Sequence, residues 1–125
     1  MPITHSLNFH VGWSMVLAAF ITGALLGLRF YRDDFLGGYA SFRRRMLRLG
    51  HIALAALGIF NVVYSLCPTP GAGRWNAPWA GGCWIAGGIL MPVICFLSAW
   101  RPAFRILFFL PVAALIAAVV LTLIQ

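Results

Sequence analysis

Four long runs of apolar residues, separated by short polar or turn-forming connections, make up most of this chain. Each run approaches the ~20 residues that an α-helix needs to cross the hydrocarbon core of a bilayer. A lone strand in lipid would leave its backbone groups without hydrogen bonds, so each run is predicted to be a helix. The pattern predicts an all-α fold, an integral membrane bundle of four transmembrane helices in a single domain, residues 1–125. The spans are placed at about Phe9–Leu28, Leu47–Leu66, Gly82–Trp100 and Phe104–Ile124.

The composition agrees with a membrane protein. Of the 125 residues, 62% are hydrophobic and 9% are charged, whereas a soluble domain carries roughly a quarter charged residues. A formal net charge of +7 would also suit nucleic-acid binding, but the arginines stand in short connections between apolar runs, where they set membrane topology. We therefore expect no nucleic-acid partner. The first nine residues contain no lysine or arginine, so no secretory signal peptide is expected.

The arginines are distributed unequally between the connections. The second connection holds Arg74 alone, and the other eight lie in or beside the first and third connections. Because basic residues accumulate on the cytoplasmic side of a membrane, both termini are predicted to lie outside (N-out/C-out). We expect a bacterial inner (cytoplasmic) membrane. The eight arginines are Arg29, Arg32, Arg43, Arg44, Arg45, Arg48, Arg101 and Arg105.

Two of the predicted helices carry small residues at four-residue intervals. Such spacing lets helices approach closely in lipid, where packing replaces the hydrophobic drive. The series predict either packing within the bundle or contact with a partner subunit. The positions are Ala19, Gly23 and Gly27 in the first helix, and Ala113/Ala117 and Ala114/Ala118 in the fourth.

A stripe of small and polar residues follows one face of the second predicted helix. At 100° per residue its members fall within about one third of the helix circumference. Polar groups within a membrane usually face protein, so the stripe is predicted to face the bundle or a partner. It consists of His51, Ala55, Gly58, Asn61 and Ser65.

The histidines are the candidates for cofactor binding. His51 lies one turn from Arg48, and Tyr39 is nearby in the sequence. Together these three residues could surround a quinone or a lipid headgroup at the inner surface. His5 and His10 lie at the outer end of the first helix. His10 and His51 should differ in depth by most of the ~30 Å core, so one chain cannot place both on one haem iron. Haem proteins of the cytochrome b561 type carry histidine pairs at matching depth, a pattern that this sequence lacks.

The alternative for His10 and His51 is a structural hydrogen bond, from His10 to Ser14 or the outer loop and from His51 to a neighbouring backbone carbonyl. We therefore expect no tightly bound cofactor in the isolated chain and no metal site. A quinone, haem or pigment at an interface with partners stays open, with His51, Arg48 and His10 as the candidate residues.

The connection between the second and third helices is rich in proline, glycine and tryptophan. Cys67 and Cys83 bracket it, and on an oxidising side of the membrane they could form a disulfide; two unpaired thiols are the alternative. Trp75, Trp79 and Trp84 are expected either to sit in the interfacial aromatic belt or to form part of a docking surface for another protein.

On the arginine-rich side, Ser41 is a plausible N-cap for the second helix. Three consecutive arginines follow it, and they are predicted to contact anionic lipid, since each basic residue near the surface contributes roughly 1 kcal/mol of attraction. These residues are Arg43, Arg44 and Arg45.

The predicted spans contain no Asp, Glu or Lys, so ion-coupled transport is not expected. No catalytic motif is visible, and an enzyme is not favoured. The leading hypothesis is a small accessory or structural subunit of a larger respiratory or photosynthetic membrane complex, packed against partner helices and lipids. The first alternative is a quinone- or haem-binding protein of electron transport, and the second is a small carrier for a neutral solute.

Overall fold

The computed structural model describes residues 3–67 and 77–124, and within these ranges the chain is helical, as predicted. Four spans are long and apolar enough to cross a membrane. A membrane protein of four transmembrane helices is therefore the architecture. If all four cross, both termini lie on one side; which side remains a prediction. The helices are α1 (Ile3–Phe30), α2 (Phe42–Leu66), α3 (Ala77–Trp100) and α4 (Phe109–Leu123), with 3-10 segments at Phe35–Gly37 and Pro102–Phe108.

The first three helices begin earlier than predicted, because the predicted starts passed over their less apolar first turns. The fourth begins later than the predicted Phe104, at Phe109, because the residues before it form the second 3-10 segment. The start of α2 is fixed by Ser41, which has an extended backbone and accepts a hydrogen bond of 3.2 Å from the backbone N–H of Arg44. This geometry satisfies one of the free N–H groups of the first turn. The predicted N-cap is thereby confirmed.

The chain turns from α1 into α2 through three consecutive residues with positive φ. These are Leu36 (φ 55°), Gly37 (φ 88°) and Gly38 (φ 87°). Glycine adopts this region freely, whereas leucine is strained there by its Cβ atom. The turn therefore carries local strain at Leu36.

The helices pack in chain order. The main contacts are α1 with α2, α2 with α3, and α3 with α4, and a smaller contact joins α1 to α3. Among the described residues, α4 makes no comparable contact with α1. The first three helices thus form a compact group, and α4 lies at its edge.

The closest approach of α1 and α2 is made by two glycines. A Cβ atom on Gly12 would lie 2.7 Å from the carbonyl oxygen of Gly58, and one on Gly58 would lie 2.9 Å from that of Gly12. Real Cβ atoms essentially never come so close to another heavy atom. The two backbones therefore touch, as small residues permit in membranes.

The interior is built from small and polar residues, and large apolar side chains face outward. Such a distribution suits a lipid solvent, which accepts leucine and phenylalanine but offers polar groups no partners. The buried set includes Ala19, Ala53, Ala80, Asn8, Asn61 and Ser98, and the exposed set includes Leu17, Phe20, Ile52, Phe60, Ile116 and Leu123.

Candidate functional site

Two asparagines connect three helices near the end where α2 leaves the membrane and α3 begins. Asn8 Nδ2 donates to Asn61 Oδ1 over 2.8 Å and to the Gly81 carbonyl over 3.1 Å. Asn61 Nδ2 donates to the Leu57 carbonyl over 2.9 Å and to the Trp84 carbonyl over 3.1 Å. Neither asparagine side chain is exposed. The pair therefore holds α1, α2 and α3 together through neutral hydrogen bonds.

Glycines in α3 make room for these amides. A Cβ atom on Gly81 would lie 2.9 Å from Asn8 Oδ1, and one on Gly88 would lie 2.8 Å from Asn61 Nδ2. A larger residue at either position would displace an amide from its hydrogen bonds. The glycines of α3 are thus part of the same cluster.

His5 extends the cluster toward the N-terminus of α1. Its Nδ1 lies 3.1 Å from the Ser65 carbonyl oxygen, so Nδ1 carries the proton and donates it. The ring stacks on Tyr64 with 5.3 Å between the centroids. Nε2 of His5 and Oδ1 of Asn8 are buried and have no hydrogen-bond partner in the part of the chain that the structure describes.

Trp84 joins α4 to this end of the bundle. Its indole Nε1 donates to Thr122 Oγ1 over 3.0 Å, and Thr122 in turn donates to the Ala118 carbonyl over 2.7 Å. The Trp84 ring lies 5.8 Å from that of Phe60 and 6.4 Å from that of Tyr64. All four helices are therefore connected by hydrogen bonds or ring contacts at one end.

The stripe predicted on the second helix faces the bundle. Gly58, Asn61 and Ser65 are buried, and His51 and Ala55 are half-buried. Its polar members bond to the neighbouring helices α1 and α3 or to α2 itself. Of the two alternatives predicted for this face, the bundle or a partner, the structure shows contact within the bundle.

The residues predicted to surround a quinone at the inner surface separate into two contacts. Arg48 donates to the Tyr39 carbonyl over 3.2 Å, and its guanidinium carbon lies 4.3 Å from the centre of the Tyr39 ring. His51 instead faces α1, where its Nδ1 lies 3.2 Å from Thr22 Oγ1 and its Cε1 lies 2.8 Å from where a Cβ of Gly23 would stand. The structural alternative for His51 named a backbone carbonyl, and the partner found is the Thr22 hydroxyl.

Arg44 does not face lipid as predicted, because its side chain is 3% exposed. It donates to the Phe30 carbonyl over 2.8 Å and to the Asp33 carbonyl over 3.3 Å, and its guanidinium lies 4.6 Å from the Phe30 ring centre. The last carbonyls of a helix lack intrahelical partners and carry partial negative charge. Arg44 therefore caps the C-terminus of α1. Its neighbours Arg43 and Arg45 are exposed.

His10 lies away from the buried cluster, on an apolar groove of about 400 Å³ between α1 and α3. Its Nδ1 lies 2.7 Å from the Ser6 carbonyl oxygen, so its hydrogen-bond partner is a backbone carbonyl one turn earlier in α1 and not the Ser14 hydroxyl that the structural alternative named. Because a carbonyl only accepts, Nδ1 is the donor, and Nε2 of the neutral ring is left as an acceptor. Ser14 lines the same groove, one turn further along α1.

The remaining predicted site residues fall into three groups. Cys67 and Cys83 are free thiols in the structure, as is buried Cys95, and the disulfide between the first two stays a prediction. Trp79 is 67% exposed, and Trp75 lies outside the described residues. A Cβ atom on Gly27 would meet no heavy atom within 4 Å, so this position is open to a partner or to lipid.

Asn8 and Gly12 are the important residues that sequence reasoning missed. The predicted first helix began at Phe9, which left Asn8 outside the span and its pairing with Asn61 unseen. The sequence signal that could have found them is the spacing of Asn8 and Gly12, an amide and a glycine four residues apart at the start of an apolar run. In the described ranges no group of three or more His, Cys, Asp or Glu residues could hold a metal ion.

Comparison with known proteins gives no further assignment. No family model, no curated protein and no solved structure matches this chain. Its function is therefore inferred from the geometry of the chain itself.

Proposed function

We propose that this protein is a small accessory subunit of a larger membrane complex, in which it packs against partner helices and lipids. The supporting observation is the open side of the helix group, where α4 contacts α3 without comparable contact to α1 in the described chain. Buried residues make up 17% of the apolar stretch of α1 and 11% of that of α4, compared with 33% and 39% in α2 and α3. The two outer helices thus present long faces to their surroundings.

Small residues on those faces favour a protein partner over lipid alone. Gly27 in α1 is open, and Ala113 in α4 is exposed, four residues before half-buried Ala117. A face that only meets acyl chains gains nothing from small side chains, whereas helix–helix contact in a membrane depends on them. Two such surfaces on one short chain suit a protein that fills a gap between larger subunits.

An energy-transducing complex, respiratory or photosynthetic, is the class that we propose, in a bacterial inner membrane. Such a complex has to be sealed without adding ionisable groups that would carry protons through the bilayer. The hydrogen bonds from Asn8 to Asn61, from Asn61 to the Trp84 carbonyl and from the Trp84 indole to Thr122 all join neutral groups. These bonds hold the helices of the subunit together without placing a charged group inside the membrane.

The test is extraction of the tagged chain from its native membranes in a mild detergent, followed by size separation and mass spectrometry. We expect it to migrate with a large complex. Gly27→Leu and Ala113→Leu should release it, whereas Ala86→Leu, at an exposed position of α3, should not. A folded wild-type chain that migrates alone after mild extraction would contradict the proposal.

The groove beside His10 favours a second candidate function, binding of a membrane quinone. The groove of about 400 Å³ is lined mostly by apolar side chains, together with His10 and Ser14. A hydroquinone hydroxyl could donate to His10 Nε2, and a quinone carbonyl could accept from the Ser14 hydroxyl. Purified protein should then contain extractable quinone that His10→Phe loses and Trp13→Phe retains. Absence of quinone, together with an absorption spectrum that lacks a Soret band, would exclude both quinone and haem.

A further inference from the structure

A separate groove lies at the arginine-rich end, between the start of α2 and the end of α3. Its volume is about 500 Å³, within the ~300–1,000 Å³ range of ligand pockets. Exposed Arg43 and Trp100 stand on its rim, and its walls are mainly apolar. The wall residues are Leu36, Leu47, Phe96 and Ala99.

Arg43 is the arginine that lines this groove, and unlike Arg32, Arg44 and Arg48 it has no internal partner among the described residues. Exposed Arg45 has none either, but it lies outside the groove. Arg44 donates to the Phe30 carbonyl at the end of α1 and to the Asp33 carbonyl beyond it, and Arg48 donates to the Tyr39 carbonyl. Arg32 pairs with Asp34, with 3.7 Å between Arg32 Nε and Asp34 Oδ1. Arg43 makes no hydrogen bond or ion pair with any described residue, so its whole guanidinium fork is available to a ligand.

The third observation is the strain at Leu36. Among the described residues it is the non-glycine residue with positive φ, and glycine would occupy this position without strain. Strained backbone persists where the surrounding structure over-determines it, and such positions cluster at ligand-binding sites. The leucine side chain here adds apolar surface to the wall of the groove.

We propose that this groove binds one anionic phospholipid. The phosphate lies on the Arg43 guanidinium, whose planar fork matches phosphate oxygens. An acyl chain runs along the apolar walls, and Trp100 sits at headgroup depth, where its amphipathic ring is favoured. The net negative charge selects this lipid over a zwitterionic one, because basic residues near the surface attract anionic headgroups. The proposal is independent of the accessory role.

The intact chain in detergent micelles should be titrated with phosphatidylglycerol and with phosphatidylcholine of the same acyl chains, and bound lipid counted by native mass spectrometry. We expect one phosphatidylglycerol to be retained more strongly than phosphatidylcholine. Arg43→Gln should weaken phosphatidylglycerol binding roughly fivefold. Arg45→Gln is the matched control, since it removes the same charge two residues further on, outside the groove, and should cost much less.

Leu36→Gly provides a second test that does not depend on charge. It removes the strained residue, so the variant should be at least as resistant to thermal unfolding as the wild type. The loss of the leucine side chain from the groove wall should weaken phosphatidylglycerol binding. Equal losses in Arg43→Gln and Arg45→Gln would indicate general surface attraction and overturn the proposal. It would also be overturned if the wild type retained both lipids equally, or if neither Arg43→Gln nor Leu36→Gly weakened binding.

Discussion

The side chains of Asn8 and Asn61 share a hydrogen bond of 2.8 Å between α1 and α2, and neither has any exposed surface. Asn61 also donates to the Trp84 carbonyl of α3. Interhelical hydrogen bonds in membranes contribute about 0.6 kcal/mol on average and up to about 1.7 kcal/mol. Replacing Asn61 removes two of them and leaves buried partners unsatisfied. Asn61→Leu should therefore lower the free energy of unfolding by about 1–3 kcal/mol.

This change can be measured by titration with a denaturing detergent, with helix content as the signal. Ser14→Ala is the control, since Ser14 is exposed and has no hydrogen-bond partner among the described residues. It should leave the transition in place. An Asn61→Leu variant as stable as the wild type would show that the asparagine pair does not hold the helices together.

Ser98 and Ser65 provide a matched pair of buried hydroxyls. Ser65 Oγ donates to the Val62 carbonyl over 2.6 Å, whereas Ser98 Oγ is buried and has no partner among the described residues. Removing an unsatisfied buried hydroxyl relieves its desolvation penalty. Ser98→Ala should leave the free energy of unfolding unchanged or raise it by up to about 1 kcal/mol, and Ser65→Ala should lower it by about 0.5–1.5 kcal/mol.

The same titration distinguishes the two serines, because both substitutions delete one hydroxyl from a buried helix position. A clear loss of stability in Ser98→Ala would mean that its hydroxyl is hydrogen-bonded in the folded protein. That result would contradict the finding that the Ser98 hydroxyl is buried without a partner among the described residues.

The architecture could be read from the sequence because each span carries its own signal. Apolar length predicts a helix in lipid, and a polar stripe on α2 predicts which face is buried. The site depends on residues far apart in the chain, such as Asn8 and Gly81, and no local pattern encodes that contact. The grooves arise in the same way, from facing helices. The burial of Arg44 was missed because a basic residue can bind either a lipid headgroup or the carbonyls at a helix C-terminus. The sequence alone does not show that the end of α1 lies beside Arg44.

Arg44 should stabilise the fold, although its neighbours are exposed. It donates to the Phe30 carbonyl at the end of α1 and to the Asp33 carbonyl in the turn that follows, and it lies over the Phe30 ring. Hydrogen bonds that involve a charged group contribute about 1.5–3 kcal/mol, so Arg44→Met should lower the free energy of unfolding by about 2–3 kcal/mol. Arg44→Lys should recover part of this, since an ammonium group lacks the planar fork that reaches both carbonyls.

Arg45→Met is the control for Arg44, because Arg45 is exposed and makes no hydrogen bond or ion pair with any described residue. Surface substitutions of this kind usually change stability by less than about 0.5 kcal/mol. If Arg44→Met and Arg45→Met had equal effects in thermal unfolding, the capping role of Arg44 would be refuted.

Gly12 and Gly27 lie on the same helix and should respond in opposite ways to alanine. A Cβ on Gly12 would lie 2.7 Å from the Gly58 carbonyl oxygen, whereas one on Gly27 would meet nothing within 4 Å. Gly12→Ala should lower the free energy of unfolding by about 1–3 kcal/mol through overpacking. Gly27→Ala should raise it by about 0.5–1 kcal/mol, because alanine loses less backbone entropy in a helix. Thermal unfolding of the purified chain would show both shifts, and a stable Gly12→Ala would contradict the direct contact of the two backbones.

Cys67 allows the predicted orientation to be tested, because it is exposed at the end of α2 opposite the arginine-rich connections. If those connections face the cytoplasm, a membrane-impermeant maleimide should label Cys67 in intact spheroplasts of a chain that also carries Cys83→Ala and Cys95→Ala. Ala103→Cys in a cysteine-free chain is the control at the other end, and it should react only after permeabilisation. The reverse pattern would overturn the N-out/C-out prediction.

In the otherwise unmodified chain, labelling of Cys67 that requires prior reduction would establish the disulfide with Cys83, and labelling without reduction would exclude it.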